Sequence, residues 1–269
     1  TVGRGEVKFF NSLGSVIVLA GQQSTARPGE PPSRPIAVDP TSLMAWEATV
    51  ENLMLEFEPP PQVDTEPEVL QRELPRREAA AEAAPEDPAA QADLARVLLD
   101  LGRVDDALAA AQAAAAAAPG VAEYEGLLGW ALLGAGQVDE AEQRFTAAAQ
   151  AEPENARWTV GRALVALAQD RTGDAAELLR SAAEAAPDDP LPQAYLAAAL
   201  LRQGDLEAAA GAAEESVRLG PEQHLGLSYL AHVRLLQGDV SAAMATGAQA
   251  VEYAPDSSMA HTALGKAEL

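Results

Sequence analysis

Six prolines stand 34 residues apart in this chain: Pro85, Pro119, Pro153, Pro187, Pro221 and Pro255. Other columns keep the same period. Alanines fall at Ala107, Ala141, Ala175, Ala209 and Ala243, and small residues at Ala95, Gly129, Ala163, Ala197, Ala231 and Gly265. Leucines fall at Leu94, Leu128, Leu196, Leu230 and Leu264, with Arg162 the one departure. Independent columns on one period define a repeated unit, and a unit this short buries its apolar face only by stacking on its neighbours.

Each unit reads as two antiparallel helices. Gly102, Gly136, Gly204 and Gly238 stand where the first helix must end, a slot that needs a left-handed backbone. Acids follow at Asp105, Asp139, Asp205 and Asp239, suited to the positive end of a second helix. The proline closes the unit, and acids behind it (Glu154, Asp188, Glu222, Asp256) favour the next helix start. In the third unit Asp170 replaces the turn glycine and Gly173 lies three residues on. An altered turn is expected there, because aspartate tolerates the left-handed region less well than glycine. The complete units are 88–121, 122–155, 156–189, 190–223 and 224–257, five in all, and 258–269 begins a sixth with its first helix. With no polar capping helix after it, that end is expected to expose an apolar face unless something covers it.

The second unit carries the pattern W-x2-L-G-x2-Y…A-x3-F…P as Glu125, Leu128, Gly129, Leu132, Ala141, Phe145 and Pro153. Over residues 88–269 the chain therefore resembles the tetratricopeptide repeat family, with most aromatic slots replaced by smaller or polar residues and a leaner packing expected. The resemblance implies an all-α solenoid of tetratricopeptide-like helix pairs. It also implies a protein-binding groove lined by the first helix of each unit. Transferred slot by slot, the groove falls on Leu99, Leu133, Leu167, Leu201 and Leu235, with Trp130, Leu164, Leu191, Tyr195, Leu225, Tyr229 and His232 beside them. This apolar stripe has two readings: packing between helices, or a greasy groove for an extended strand or amphipathic helix. The lysine and asparagine that the family's clamp for acidic C-terminal tails requires are absent from these slots, so that ligand is not expected.

The N-terminal part has a different character. Residues 1–40 read as a small β-rich segment: Val7-Lys8-Phe9-Phe10 and Ser15–Leu19 are strand-like about the turn residues Asn11–Gly14, with a further short strand at Gln23–Ala26. Four prolines make Arg27–Pro35 extended. Residues 41–57 read as a helix or mixed segment, 58–67 as a proline-rich acidic linker, and 68–87 as a helix interrupted or kinked near Pro75. The run Gly5-Glu6-Val7, Gly14-Ser15-Val16, Ala20–Gln23 and Val38-Asp39-Pro40 with Trp46 is similar to the tail of a FecR-type domain. That likeness implies an exported protein of the bacterial surface or extracellular space, with a periplasmic location the alternative. So small a piece buries little core by itself. Val7, Phe9, Phe10, Val16 and Val18 are therefore candidates for an assembly segment that packs on the repeats or on a neighbouring copy.

Charge and composition narrow the function. The net charge is −23, made of about +2 in residues 1–38 and −25 in the rest. Such a polyanion repels phosphate backbones, which excludes nucleic-acid partners. Without cysteine there is no disulfide, thiol chemistry or thiolate metal site. Aliphatic runs such as Val16–Ala20 are too short to span a bilayer, and no secretory leader is read from the sequence. Three histidines (His224, His232, His261) make no metal-ligand spacing. Gly134-Ala135-Gly136 lies in a helix–helix turn rather than after a strand, and Asp105-Asp106 and Asp188-Asp189 lack a calcium-loop spacing. No catalytic residue, cofactor or metal is expected. The function that follows is a non-catalytic protein-interaction scaffold, self-assembling head to tail into a filament. The alternative is a monomeric adaptor that holds a peptide in an apolar concave groove.

Overall fold

The computed structural model describes residues 6–11, 14–19, 22–23, 36–37, 60–62, 67–255 and 257–267. Strands β1 (Glu6–Asn11) and β2 (Gly14–Leu19) pair antiparallel, with Val7 opposite Val18 and Phe9 opposite Val16. The short β3 (Gln22–Gln23) pairs antiparallel with β4 (Ile36–Ala37) in a second two-stranded sheet. The expected strand at 23–26 thus begins one residue earlier. The segment 41–57 lies outside the described residues.

Twelve helices follow among the described residues. α1 (Pro67–Ala83) precedes α2 (Pro88–Asp100) and α3 (Val104–Ala117), the first pair. The next pairs are α4 (Ala122–Gly134) with α5 (Val138–Ala151), and α6 (Ala156–Ala168) with α7 (Thr172–Ala185). After them come α8 (Pro190–Gln203) with α9 (Leu206–Leu219), α10 (His224–Leu236) with α11 (Val240–Tyr253), and finally α12 (Ser258–Ala267). No helix among the described residues is long and apolar enough to cross a membrane.

Two local expectations are corrected. Of the two alternatives at Pro75, interruption or kink, the interruption is ruled out: helix α1 runs through the proline. Leu70 and Ala81, on either side of the proline, are buried, so tertiary packing holds both halves where the proline removes one backbone bond. Asp170 does not alter its turn: it adopts the left-handed conformation itself, with φ 59°. Its N–H donates to the Leu167 carbonyl at 3.1 Å and the Arg171 N–H to the Ala166 carbonyl at 2.8 Å. The first turn has the same pair, from Gly102 to Leu99 and from Arg103 to Leu98. Arg202 also donates to the Leu167 carbonyl, at 2.6 Å, and these three bonds together hold the strained residue in place.

The acids after each turn act in two ways. Asp205 and Asp239 cap α9 and α11 directly, accepting from the Ala208 and Ala242 N–H groups at 3.0 Å. α3, α5 and α7 begin without a side-chain cap and carry their acids in the first turn, where the helix dipole favours them.

The core is built of small side chains around a few large ones. Alanines such as Ala92, Ala107, Ala141 and Ala175 are fully buried. Phe145, also fully buried, is seated against two glycines, and Trp130 meets it edge-on with ring centroids 4.7 Å apart. The slot that usually carries an aromatic ring holds Glu125, whose carboxylate is buried, receives Arg144 at 3.0 Å and accepts the Gly120 N–H at 3.3 Å.

Each helix packs on the next in sequence, and the first helices also touch one another directly: α2 with α4, α4 with α6, α6 with α8, α8 with α10, and α10 with α12. Among the described residues the second helices make no such contact with each other. First helices therefore lie closer together than second helices, which curves the stack and puts the first helices on the inner face. At the far end Leu236, Val240, Met244 and Tyr253 are exposed.

Candidate partner-binding groove

The twelve groove residues read from the sequence go mostly into packing. Trp130, Leu164, Leu167, Tyr195 and Leu225 are at most 1% exposed. Leu133, Leu201, Tyr229 and His232 are buried as well, and Leu99, Leu191 and Leu235 are half-buried. Most of these side chains belong to the shared hydrophobic core, Trp130 for instance against Phe145 of α5, and little of their surface faces outward. Of the five assembly candidates, Val7, Phe9 and Phe10 lie on β1, and Val16 and Val18 on β2.

The open surface of the inner face belongs to another set, which shares Trp130 with those twelve. A concavity of about 330 Å³ is lined by Gln62, Arg96, Glu123, Leu127, Trp130, Glu152, Asn155, Arg157 and Trp158. Arg96 projects from α2, Glu123, Leu127 and Trp130 from α4, and Arg157 and Trp158 from the first turn of α6. Its walls are fixed by internal bonds. Glu152 accepts from the Trp158 indole Nε1 at 3.0 Å and from the Asn155 amide at 2.9 Å. Those two bonds, from Asn155 first and then Trp158, hold its carboxyl below the usual glutamate range. Asn155 in turn caps α6 by accepting the Arg157 N–H at 3.2 Å. Arg96 is paired with Asp93 at 2.8 Å and with Glu123.

Arg157 is the unusual group. Burial, and then the positive charge of Arg96, pull its pKa down, while Asp100, Asp189 and Glu123 oppose the shift. Its guanidinium points to the chain's own N-terminal side: it donates to the Gln62 side-chain oxygen and, at 3.5 Å, to the Pro61 carbonyl. The Gln62 N–H donates to Asp100 Oδ1 at 2.7 Å. The stretch Pro60–Gln62 is therefore held across the inner face between α2 and α6, with Pro60 buried.

Sequence reasoning missed Arg96, Asp100, Gln62 and Arg157. Two of them had a signal. Arg96 shares a 34-residue column with Trp130, Leu164 and His232, and Arg157 shares one with Leu191 and Leu225. Following those columns through their charged members finds both arginines. Among the described residues no group of three or more histidine, aspartate or glutamate side chains comes together to hold a metal. Asp189 instead caps α8, accepting the Leu191 N–H at 2.9 Å.

Comparison with known proteins agrees with this architecture. The fold is similar to a thermophilic TPR protein from Thermus thermophilus, with TM-score 0.63 and 20% identity over 67% of this chain and 98% of that one. It is also similar to a tetratricopeptide repeat protein from Parabacteroides merdae, with TM-score 0.66 and 15% identity over 74% of this chain and 78% of the other. A third likeness is to a chain of the APC/C hetero-tetramer Cut9–Hcn1, with TM-score 0.64 and 16% identity over 75% of this chain and 40% of that one. No curated protein matches the chain. Tetratricopeptide repeat models match residues 75–131, 127–190 and 195–260, and on that match and the stacked helix pairs the chain belongs to the tetratricopeptide repeat family, whose members mediate protein–protein interaction.

Proposed function

We propose that this chain is a non-catalytic scaffold that holds an extended segment of protein across the inner face of its solenoid, at the concavity formed by α2, α4 and α6. One observation carries this reading: a proline-containing stretch of main chain already lies there, anchored by Asp100 and Arg157. Extended segments suit such a face because they present unpaired main-chain groups to fixed donors and acceptors. The Cut9–Hcn1 assembly is a case in which a chain of similar fold stands in a multiprotein complex.

The test is selection of peptides from a displayed library against the full chain. Binders that lose at least tenfold in affinity on Arg157→Ala, with helix content and melting unchanged, support the reading. A library that yields no binder dependent on Arg157, either with the wild-type chain or with a variant in which Pro60–Gln62 no longer makes its bonds, overturns it.

A second reading, head-to-tail assembly into an extracellular or surface filament, is favoured by the N-terminal strands. Among the described residues β1 and β2 form a two-stranded sheet, a size that is marginal by itself. The mildly basic head and the acidic repeats also attract each other between copies. The FecR-like likeness of that head supports an exported bacterial protein. Light scattering across a dilution series decides it: polymers or rings support self-assembly, and a monomer at every concentration sinks it.

A further inference from the structure

We infer that Pro60–Gln62 is a built-in competitor: the chain straps its own inner face, and a partner gains the groove only by displacing that strap. The inference rests on the groove reading above and adds what occupies the groove and what the groove selects.

The strap is tied by nearly every polar group it has. Pro60 and Pro61 lack an N–H, so Gln62 supplies the only main-chain donor of the tripeptide, and Asp100 Oδ1 takes it at 2.7 Å. The Pro61 carbonyl faces Arg157, and the Pro60 carbonyl is taken at 2.7 Å by the Gln62 side-chain amide. The Gln62 side-chain oxygen receives Arg157. Two of the anchoring groups are charged, which strengthens each bond. The prolines fix their own backbone angles, so little conformational freedom is lost on docking.

Tethering adds to this. Only residues 63–66 separate Gln62 from the start of α1 at Pro67. A segment on so short a leash meets its site at an effective concentration on the order of millimolar. A free segment making the same contacts at micromolar concentration does not compete. The groove is therefore closed to peptides that merely equal the strap.

The charges define what displaces it. Arg157 already faces Asp100, Asp189 and Glu123, and Arg96 is engaged by Asp93 and Glu123. An uncharged amide oxygen fits against Arg157, whereas a further carboxylate meets the acids around it. The ligand class is a neutral, proline-containing extended segment, not an acidic tail.

The experiment uses the full chain and two readouts. The first is amide hydrogen exchange at Gln62 by NMR. Its N–H is expected to exchange at least tenfold more slowly than in a free peptide, equally at all protein concentrations, and to lose that protection on Asp100→Ala while the helices keep theirs. The second is binding of a fluorescent synthetic peptide with blocked ends that copies residues 59–63, a stretch without charged side chains. A chain carrying Pro60→Gly, Pro61→Ser and Gln62→Gly is expected to bind it about tenfold more tightly than wild type, and adding Arg157→Ala is expected to abolish the gain. Equal affinity for wild type and the strap variant overturns the inference while leaving the groove reading intact. Protection at Gln62 that rises with protein concentration also overturns it, because the strap then comes from a second copy. A strap variant that binds no peptide and selects none from the library sinks the groove reading itself.

Discussion

The ring of Phe145 lies so close to Gly161 that a Cβ built on that glycine would fall 2.5 Å from the ring's Cδ1. Gly129 is pressed on the ring nearly as hard, with its Cβ position 2.8 Å from Cε1. One large side chain in α5 thus depends on two missing ones in α4 and α6. Gly161→Ala is expected to lower stability by about 1–3 kcal/mol through overpacking, and Phe145→Ala by about 3–5 kcal/mol through the cavity it leaves. Urea unfolding of both variants checks this. A fully stable Gly161→Ala chain would show that the ring has room to move.

Glu125 gives a contrast between its two obvious substitutions. Removing Arg144 strands a carboxylate that is only 10% exposed, and because the arginine itself is 44% exposed the expected loss is moderate, about 1–2 kcal/mol. Glu125→Leu removes the buried charge together with its need for a partner, and a leucine suits a slot that elsewhere in the family is apolar. It is expected to lose less than Arg144→Ala, or to gain stability. Thermal melts of the two variants side by side decide the order.

Asp170 holds its left-handed conformation against its own side chain. Asp170→Ala, which keeps the Cβ and loses the local polar group, is expected to lose about 1 kcal/mol, whereas Asp170→Gly is expected to lose nothing. Chemical denaturation midpoints at constant m-value provide the comparison.

His232 makes the solenoid sensitive to mild acid. Burial first, and then the positive charge of Lys266, push its pKa down from 6.5 to about 4. In the unfolded chain it titrates normally, so the unfolded state binds the extra proton between those values. The stability is fully present above pH 6.5 and is lost as pH falls toward 4, by roughly 3 kcal/mol in all. His232→Leu is expected to flatten this part of the stability–pH curve while leaving the carboxylate transition at lower pH. Identical curves for the two chains between pH 7 and 4.5 would refute the assignment.

The legible part of this molecule was the part written on a period. Pro119, Ala141 and Gly136 each repeat at a spacing of 34, so helix pairs and turns could be placed from the sequence. Asp170 broke one column without changing the backbone, because two main-chain bonds and Arg202 outweigh a single residue's preference. The groove was read as leucines because apolar members of a column are easy to follow. Yet most apolar side chains of those columns are drawn into the core, and the charged members, Arg96 and Arg157, are left lining the open concavity. The strap had no local signature at all. Its bonds join Gln62 to Asp100 and to Arg157, residues 38 and 95 positions away, and no short-range pattern encodes such a pairing.

In a stack where each unit touches only its neighbours, stiffness is set one joint at a time, and the whole bends and stretches like a spring. Pro60–Gln62 is an exception to that rule, because it ties α2 of the first unit to α6 of the third and bypasses the second. It works as a stay across two joints, limiting how far they can open. Where the strap lies the coil is braced; from α8 onward it keeps the compliance of its individual joints. Releasing the strap therefore changes the mechanics of the scaffold as well as the access to it, softening the same stretch of the coil that a partner would then hold.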